Sequence, residues 1–179
     1  MRKMFTLLAA VAALSVMFVM PSHATTLKGK WGPGYFRPEA PLGIRWWLNE
    51  KLGLDGAIGF RSDDASGDRL TDFRFDAGVP IVLAGMGDNT KFFVRPGLRY
   101  ASTPLPTVAA PDNKQTSLGL TGTLGVEHFF TDRFSVQVAT GLIIDSVDPD
   151  AAGDSHTTFA SEDFGISSIG FHYYFGAAK

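Results

Sequence analysis

The chain has 179 residues, no cysteine, and 16 Lys and Arg against 18 Asp and Glu, for a formal net charge of −2. Without thiols there can be no disulfide and no thiolate metal site, and the slightly acidic balance offers no basic patch for a nucleic acid. Twenty glycines in a chain that is 45% hydrophobic and 12% aromatic suit many short strands and turns.

Arg2 and Lys3 open the chain, followed by an apolar run from Met4 to Met20 and then Pro21-Ser22-His23-Ala24. A basic start, an apolar stretch and small residues at 22 and 24 make a secretory leader, cleaved after Ala24. The run is close to the lower length limit for a spanning helix and stops at a proline, which favours a leader over an anchor. No cysteine follows it, so a lipid-anchored precursor is excluded. Residues 1–24 are thus read as the leader and 25–179 as one domain of ordinary size. Loss of Arg2 and Lys3 leaves that domain two charges more acidic.

From residue 26 onward the pattern is alternation with period two. Eight strands are expected, at about 26–36, 41–48, 52–62, 70–84, 91–102, 116–129, 133–145 and 160–175. In the third, Leu52, Leu54, Ile58 and Phe60 share one face, and Gly53, Asp55, Ala57, Gly59 and Arg61 the other. In the sixth, Leu118, Leu120, Leu124 and Val126 oppose Gly119, Thr121, Thr123, Gly125 and Glu127. Connections after strands two, four and six are tight. Those after three, five and seven are longer and polar, at Ser62–Arg69, Thr103–Gln115 and Ser146–Thr158, and the first, Arg37–Ala40, is short. Short turns at one end and long loops at the other are the habit of barrels that cross the bacterial outer membrane.

Aromatic residues gather at the tight turns. Trp46, Trp47, Phe92, Phe93, Phe129, Phe130, Phe134, Tyr173, Tyr174 and Phe175 are expected to form a girdle at one membrane boundary, where amphipathic rings sit favourably. Tyr35, Phe36, Phe60, Phe73, Tyr100, Phe159 and Phe164 fit the opposite rim. A strand of about 10 residues rises roughly 33 Å and, tilted by 45°, spans roughly 23 Å, close to the apolar band of such barrels.

Alternation alone does not say which face is inside; a soluble barrel would turn its apolar face inward. The leader, the loop asymmetry and the rings at strand ends favour the inverted arrangement. Parity then places Arg45, Arg61, Arg74, Arg95 and Arg99 in the lumen with Asp55, Asp76, Glu127 and Asp145. Buried charges persist when they are paired and hydrogen-bonded. An eight-stranded barrel is only wide enough for its own side chains, so the lumen should be plugged. The expected fold is therefore all-β: an eight-stranded antiparallel up-and-down transmembrane barrel.

The segment Ser168-Ile169-Gly170-Phe171-His172-Tyr173-Tyr174-Phe175 resembles the last-strand signal of outer-membrane proteins, with Gly176-Ala177-Ala178-Lys179 following it. The stretches from Gly43 to Leu52 and from Gly125 to Phe134 resemble strand–turn–strand joints of small barrels of the OmpA/OmpX/OmpW kind. This resemblance implies an outer-membrane protein recognised by the barrel assembly machinery, with both termini in the periplasm. It supplies no catalytic or binding residue.

Chemistry is sparse. A lipid A-modifying enzyme needs a serine, a histidine and a carboxylate in mutual reach. His128 is followed by two phenylalanines, His156 adjoins Ser155 in a loop, and His172 falls on the lumen face near the chain end. Asp148, Asp150 and Asp154 lack the ligand spacing of a calcium loop. No catalytic residue, cofactor or metal is expected. The reading is a monomeric structural or surface-interaction protein embedded among outer-membrane lipids and lipopolysaccharide. A small or gated channel, for small or hydrophobic solutes, is the rival.

Overall fold

A computed structural model describes residues 26–65, 68–104, 114–149, 155–162 and 168–176. Ten strand segments are present among them: β1 (Trp31–Arg37), β2 (Ala40–Trp47), β3 (Gly53–Ala65), β4 (Asp68–Gly78), β5 (Ile81–Met86), β6 (Thr90–Pro104), β7 (Lys114–Phe129), β8 (Phe134–Pro149), β9 (His156–Glu162) and β10 (Ser168–Tyr173). Neighbours pair antiparallel, and β10 returns to β1 through Gly34↔His172 and Tyr35↔Phe171. The sheet therefore closes. Two pairs of segments share one strand position each, β4 with β5 and β9 with β10, giving eight staves.

The expected strand at 70–84 is broken at Val79-Pro80. Proline has no N–H to give the ladder, and here its carbonyl accepts from Gly53 N at 2.9 Å while Val79 N donates to Pro96 O at 2.9 Å. β5 resumes against β6 with a register shift between Val82 and Ala84. The last expected strand is likewise two segments, and Phe164 lies outside the described residues, as do the leader and residues 105–113 and 150–154. The first is shorter than expected. Residues 26–30 are not strand but a strap across the barrel end.

Two polar loops are smaller than the sequence suggests, because the strands run on past the apolar belt. β3 and β4 stay in register to Ala65↔Asp68, so most of the expected loop 62–69 is hairpin. β7 and β8 pair out to Gln115↔Pro149. The β1–β2 hairpin also runs one residue farther on each side than expected, with Arg37↔Ala40 closing on Pro38 and Glu39, yet it turns well before the neighbouring β3–β4 hairpin does.

The polarity of the barrel is inverted relative to a soluble one. Leu42, Ile44, Leu54, Ile58, Leu98, Leu118, Leu124, Leu142 and Ile144 are all exposed on the outer wall, whereas Arg45 and Glu127 are completely buried. Leu120 is 61% exposed and its neighbour Thr121 only 6%. Consecutive residues of a strand point to opposite faces, so that pair alone fixes which way the whole of β7 faces.

Candidate functional site

The site is the interior itself, built from alternate residues of β1 to β8 and β10. Its centre is Arg45 on β2. The guanidinium gives Nε and Nη2 to Asp55 Oδ2 at 3.0 and 2.7 Å, and Nη1 to Glu127 Oε2 at 3.0 Å and Gln137 Oε1 at 2.8 Å. The same group lies over the rings of Phe36, Trp47 and Phe93, at 5.5, 5.8 and 5.5 Å from their centroids. A planar fork with five donors suits this position, where the point charge of a lysine would not.

The chain of pairs continues from Asp55. Its other oxygen accepts from Arg95 Nε at 2.8 Å, and Arg95 also bonds Asp76. Asp76 in turn faces Arg37 Nη2 at 3.4 Å and Arg99 Nε at 3.6 Å. On the other side, Glu127 Oε1 accepts from Ser135 Oγ at 2.5 Å and Tyr174 OH at 2.8 Å, with His172 Nδ1 at 3.6 Å. Each buried carboxylate thus meets at least one arginine, which is the condition for holding charge away from water.

Of the residues expected in the lumen, the structure brings together Arg45, Asp55, Asp76, Arg95, Arg99 and Glu127. Arg61 and Arg74 stand farther out, in the mouth; Arg74 lies 3.4 Å from Asp72, with both side chains partly exposed. Asp145 is half-buried, its carboxylate leaning across the space left by the missing side chain of Gly119. Ser135 and Gln137, which alternation in the seventh expected strand sets on the face of Asp145, join the network as hydrogen-bonding partners, and Arg37 and Tyr174 belong to it although neither was expected in the lumen.

Among the described residues, side chains pack across the lumen at both of its ends. At the turn end the strap inserts Leu27 among Trp47, Phe129 and Tyr174, all four fully or almost fully buried. Glu50 accepts from Leu27 N at 2.9 Å and Lys28 N at 3.1 Å, Gly29 N donates to Trp47 O at 2.8 Å, and Lys30 Nζ reaches Asp132 O at 2.6 Å. At the loop end the tip of the β1–β2 hairpin folds inward. Phe36 and Ala40 are buried with Ala57, Arg37 reaches Asp76, and Glu39 O lies where a side chain on Gly59 would be.

The girdle needs correction. Trp46, Phe134, Tyr173 and Phe175 are exposed on the outer wall and Phe92 and Phe130 are half-buried, but Trp47, Phe93, Phe129 and Tyr174 point inward. Each aromatic pair straddles the wall, one ring outside and one inside. The inner rings form the stop and the shelf beneath Arg45. Phe93 lies so close over Gly125 that any side chain there would collide with its ring. In the opposite rim set, Phe36 is also an interior residue.

No cluster of three or more potential metal-binding side chains occurs among the described residues. Ser135, Glu127 and His172 lie together, but the serine donates to the carboxylate and all three are fully buried.

No protein-family profile matches the chain, and no curated protein matches it in sequence. A solved structure does match in shape: the N-terminal β-barrel domain of Pseudomonas aeruginosa OprF, at a TM-score of 0.50 and 15% identity, over 83% of this chain and 98% of that one. The likeness is one of fold, and on it the chain adopts the closed eight-stranded antiparallel barrel of the OprF N-terminal domain.

Proposed function

We propose that this protein is an integral outer-membrane barrel with a plugged lumen, exported by its cleaved leader and acting as a structural or surface-interaction element rather than an enzyme. The observation that carries the reading is the inverted polarity. A continuous apolar exterior around a core of paired charges is stable only where the surrounding solvent is less polar than the interior. In water, that exterior would be a patch far larger than soluble monomers show. The closure of the sheet from β1 round to β10 suits the demand that backbone groups facing lipid be paired.

The adjacent pair on β7 tests the assignment. Refolded into lipid vesicles, a Leu120→Arg variant should lose about 2–4 kcal/mol of stability, the penalty for a cation near the bilayer midplane. A spin label at Leu120→Cys should be relaxed by a lipid-soluble quencher and one at Thr121→Cys should not. The reverse accessibility would make the protein a soluble barrel.

A further inference from the structure

The early turn of the β1–β2 hairpin leaves the wall two staves lower at one place. Among the described residues, β3 beyond Ile58 is paired as a strand through β4 alone, and β9 through β8 alone. No strand among the described residues fills the wall between these rising edges, so the mouth is open sideways there as well as outward. Behind the opening is a bowl of about 290 Å³, floored by the inward-folded Pro38 and Glu39 and walled by Gly59, Arg61, Asp72 and Arg74. On the outer wall beside the opening stand Phe60 on β3 and Phe159 on β9, 72% and 70% exposed, more than any other large apolar side chain described. Phe60 is the last apolar residue on the outward face of its strand, so it marks the upper edge of the apolar belt.

A bowl that opens sideways at the belt edge faces headgroups, not bulk water. Its apolar approach and its two guanidiniums point to a ligand with the same division. We propose that the bowl holds the phosphate-bearing headgroup of an amphiphile from the outer leaflet, with Arg61 and Arg74 on the phosphate and the acyl portion against Phe60 and Phe159. The inference rests on the membrane reading above and adds to it a site and a ligand class. Arg61 and Arg74 both have partners within the barrel, and that of Arg74 is Asp72 at 3.4 Å, with the two side chains 33% and 24% exposed. Such a pair contributes little. Phosphate, with more charge and a geometry that matches the guanidinium fork, is the stronger acceptor. Asp72 and Glu39 then act as placeholders that keep the bowl neutral until the headgroup arrives.

The experiment uses the refolded barrel in phosphatidylcholine nanodiscs, with native mass spectrometry to count retained lipid. The probes are lipid A carrying its phosphates, the same lipid dephosphorylated, and inorganic phosphate alone. Phosphorylated lipid A should be retained preferentially, and the Arg61→Gln/Arg74→Gln double variant should lose that preference by about tenfold. Asp72→Asn, which removes the competing carboxylate, should strengthen retention, a gain that damage to the fold would not produce. Equal retention of both lipids, or a preference untouched by the double variant, would overturn the inference. So would full displacement by inorganic phosphate, which would make the bowl a site for a free anion. Failure of the wild-type barrel to enter the nanodisc would bring down the membrane reading and this inference together; insertion without discrimination between the lipids overturns the inference alone.

Discussion

Arg45 shows what a single residue carries in this fold. It ties β2 to β3, β7 and β8 through Asp55, Glu127 and Gln137, and three rings shelter it. Arg45→Ala would leave two carboxylates buried beside a void, and removal of one partner from such a set costs about 3–5 kcal/mol. Urea unfolding in lipid vesicles should show that loss. Adding Glu127→Gln, which deletes the carboxylate left without its arginine while Asp55 keeps Arg95, should restore part of it, so the two changes should be non-additive by at least about 1 kcal/mol. Strict additivity would mean that Arg45 and Glu127 do not share a network. Much of this centre was legible. Parity alone put Arg45, Asp55, Asp76, Arg95 and Glu127 on one face, because a strand allows no other arrangement. The same rule also applied to Trp47, two residues from Arg45, Phe93, two from Arg95, and Phe129, two from Glu127. The pull of an aromatic pair at a turn obscured it. Arg37 escaped because its strand was expected to end one residue earlier.

Among the elements, the strap at 26–30 departs from the strand start expected there. Lys28, Gly29 and Lys30 carry no alternation, and Gly29 takes φ 77°, a left-handed conformation that breaks an extended run. What the pattern could not reveal is that Leu27, a lone apolar residue among polar ones, would fold back into the barrel end. Leu27→Asp should unseat it, since the donors there, the Trp47 indole N–H and the Tyr174 hydroxyl, are already given to Tyr174 and Glu127. The variant should still fold and close, because closure runs through the pairing of β1 with β10 and not through the strap. Its Trp47 should become accessible to aqueous iodide, whereas wild-type Trp47 should stay protected. Unchanged quenching would show that the seal does not depend on Leu27. The Val79-Pro80 break is an element-scale feature that proline did announce, although the hydrophobic pattern runs straight through it.

For the whole molecule, the interlocked charges and the side chains packed at the two described ends lead to one expectation: no continuous water path. The refolded protein in a planar bilayer should show no sustained ohmic conductance. Stable large openings would favour the channel reading, and a Leu27→Asp variant that alone conducts would locate the seal at the turn end. The barrel class, the closure and the inverted faces could be read from alternation, loop lengths and the last-strand pattern. The low place in the wall could not. It depends on how far neighbouring hairpins outgrow one another, and strand ends are where periodicity fades into loop composition.

The seat of Leu27 also sets an order in time. Its walls come from β2, from the end of β7, and from Tyr174 just beyond β10, so they lie far apart along the chain. They meet only after the first and last staves have joined. The strap is the earliest described part of the chain, yet it is the last piece able to settle. An environment-sensitive dye at position 27 would therefore stay wet through insertion and strand pairing, and would go dark to water only at the moment the cylinder is complete.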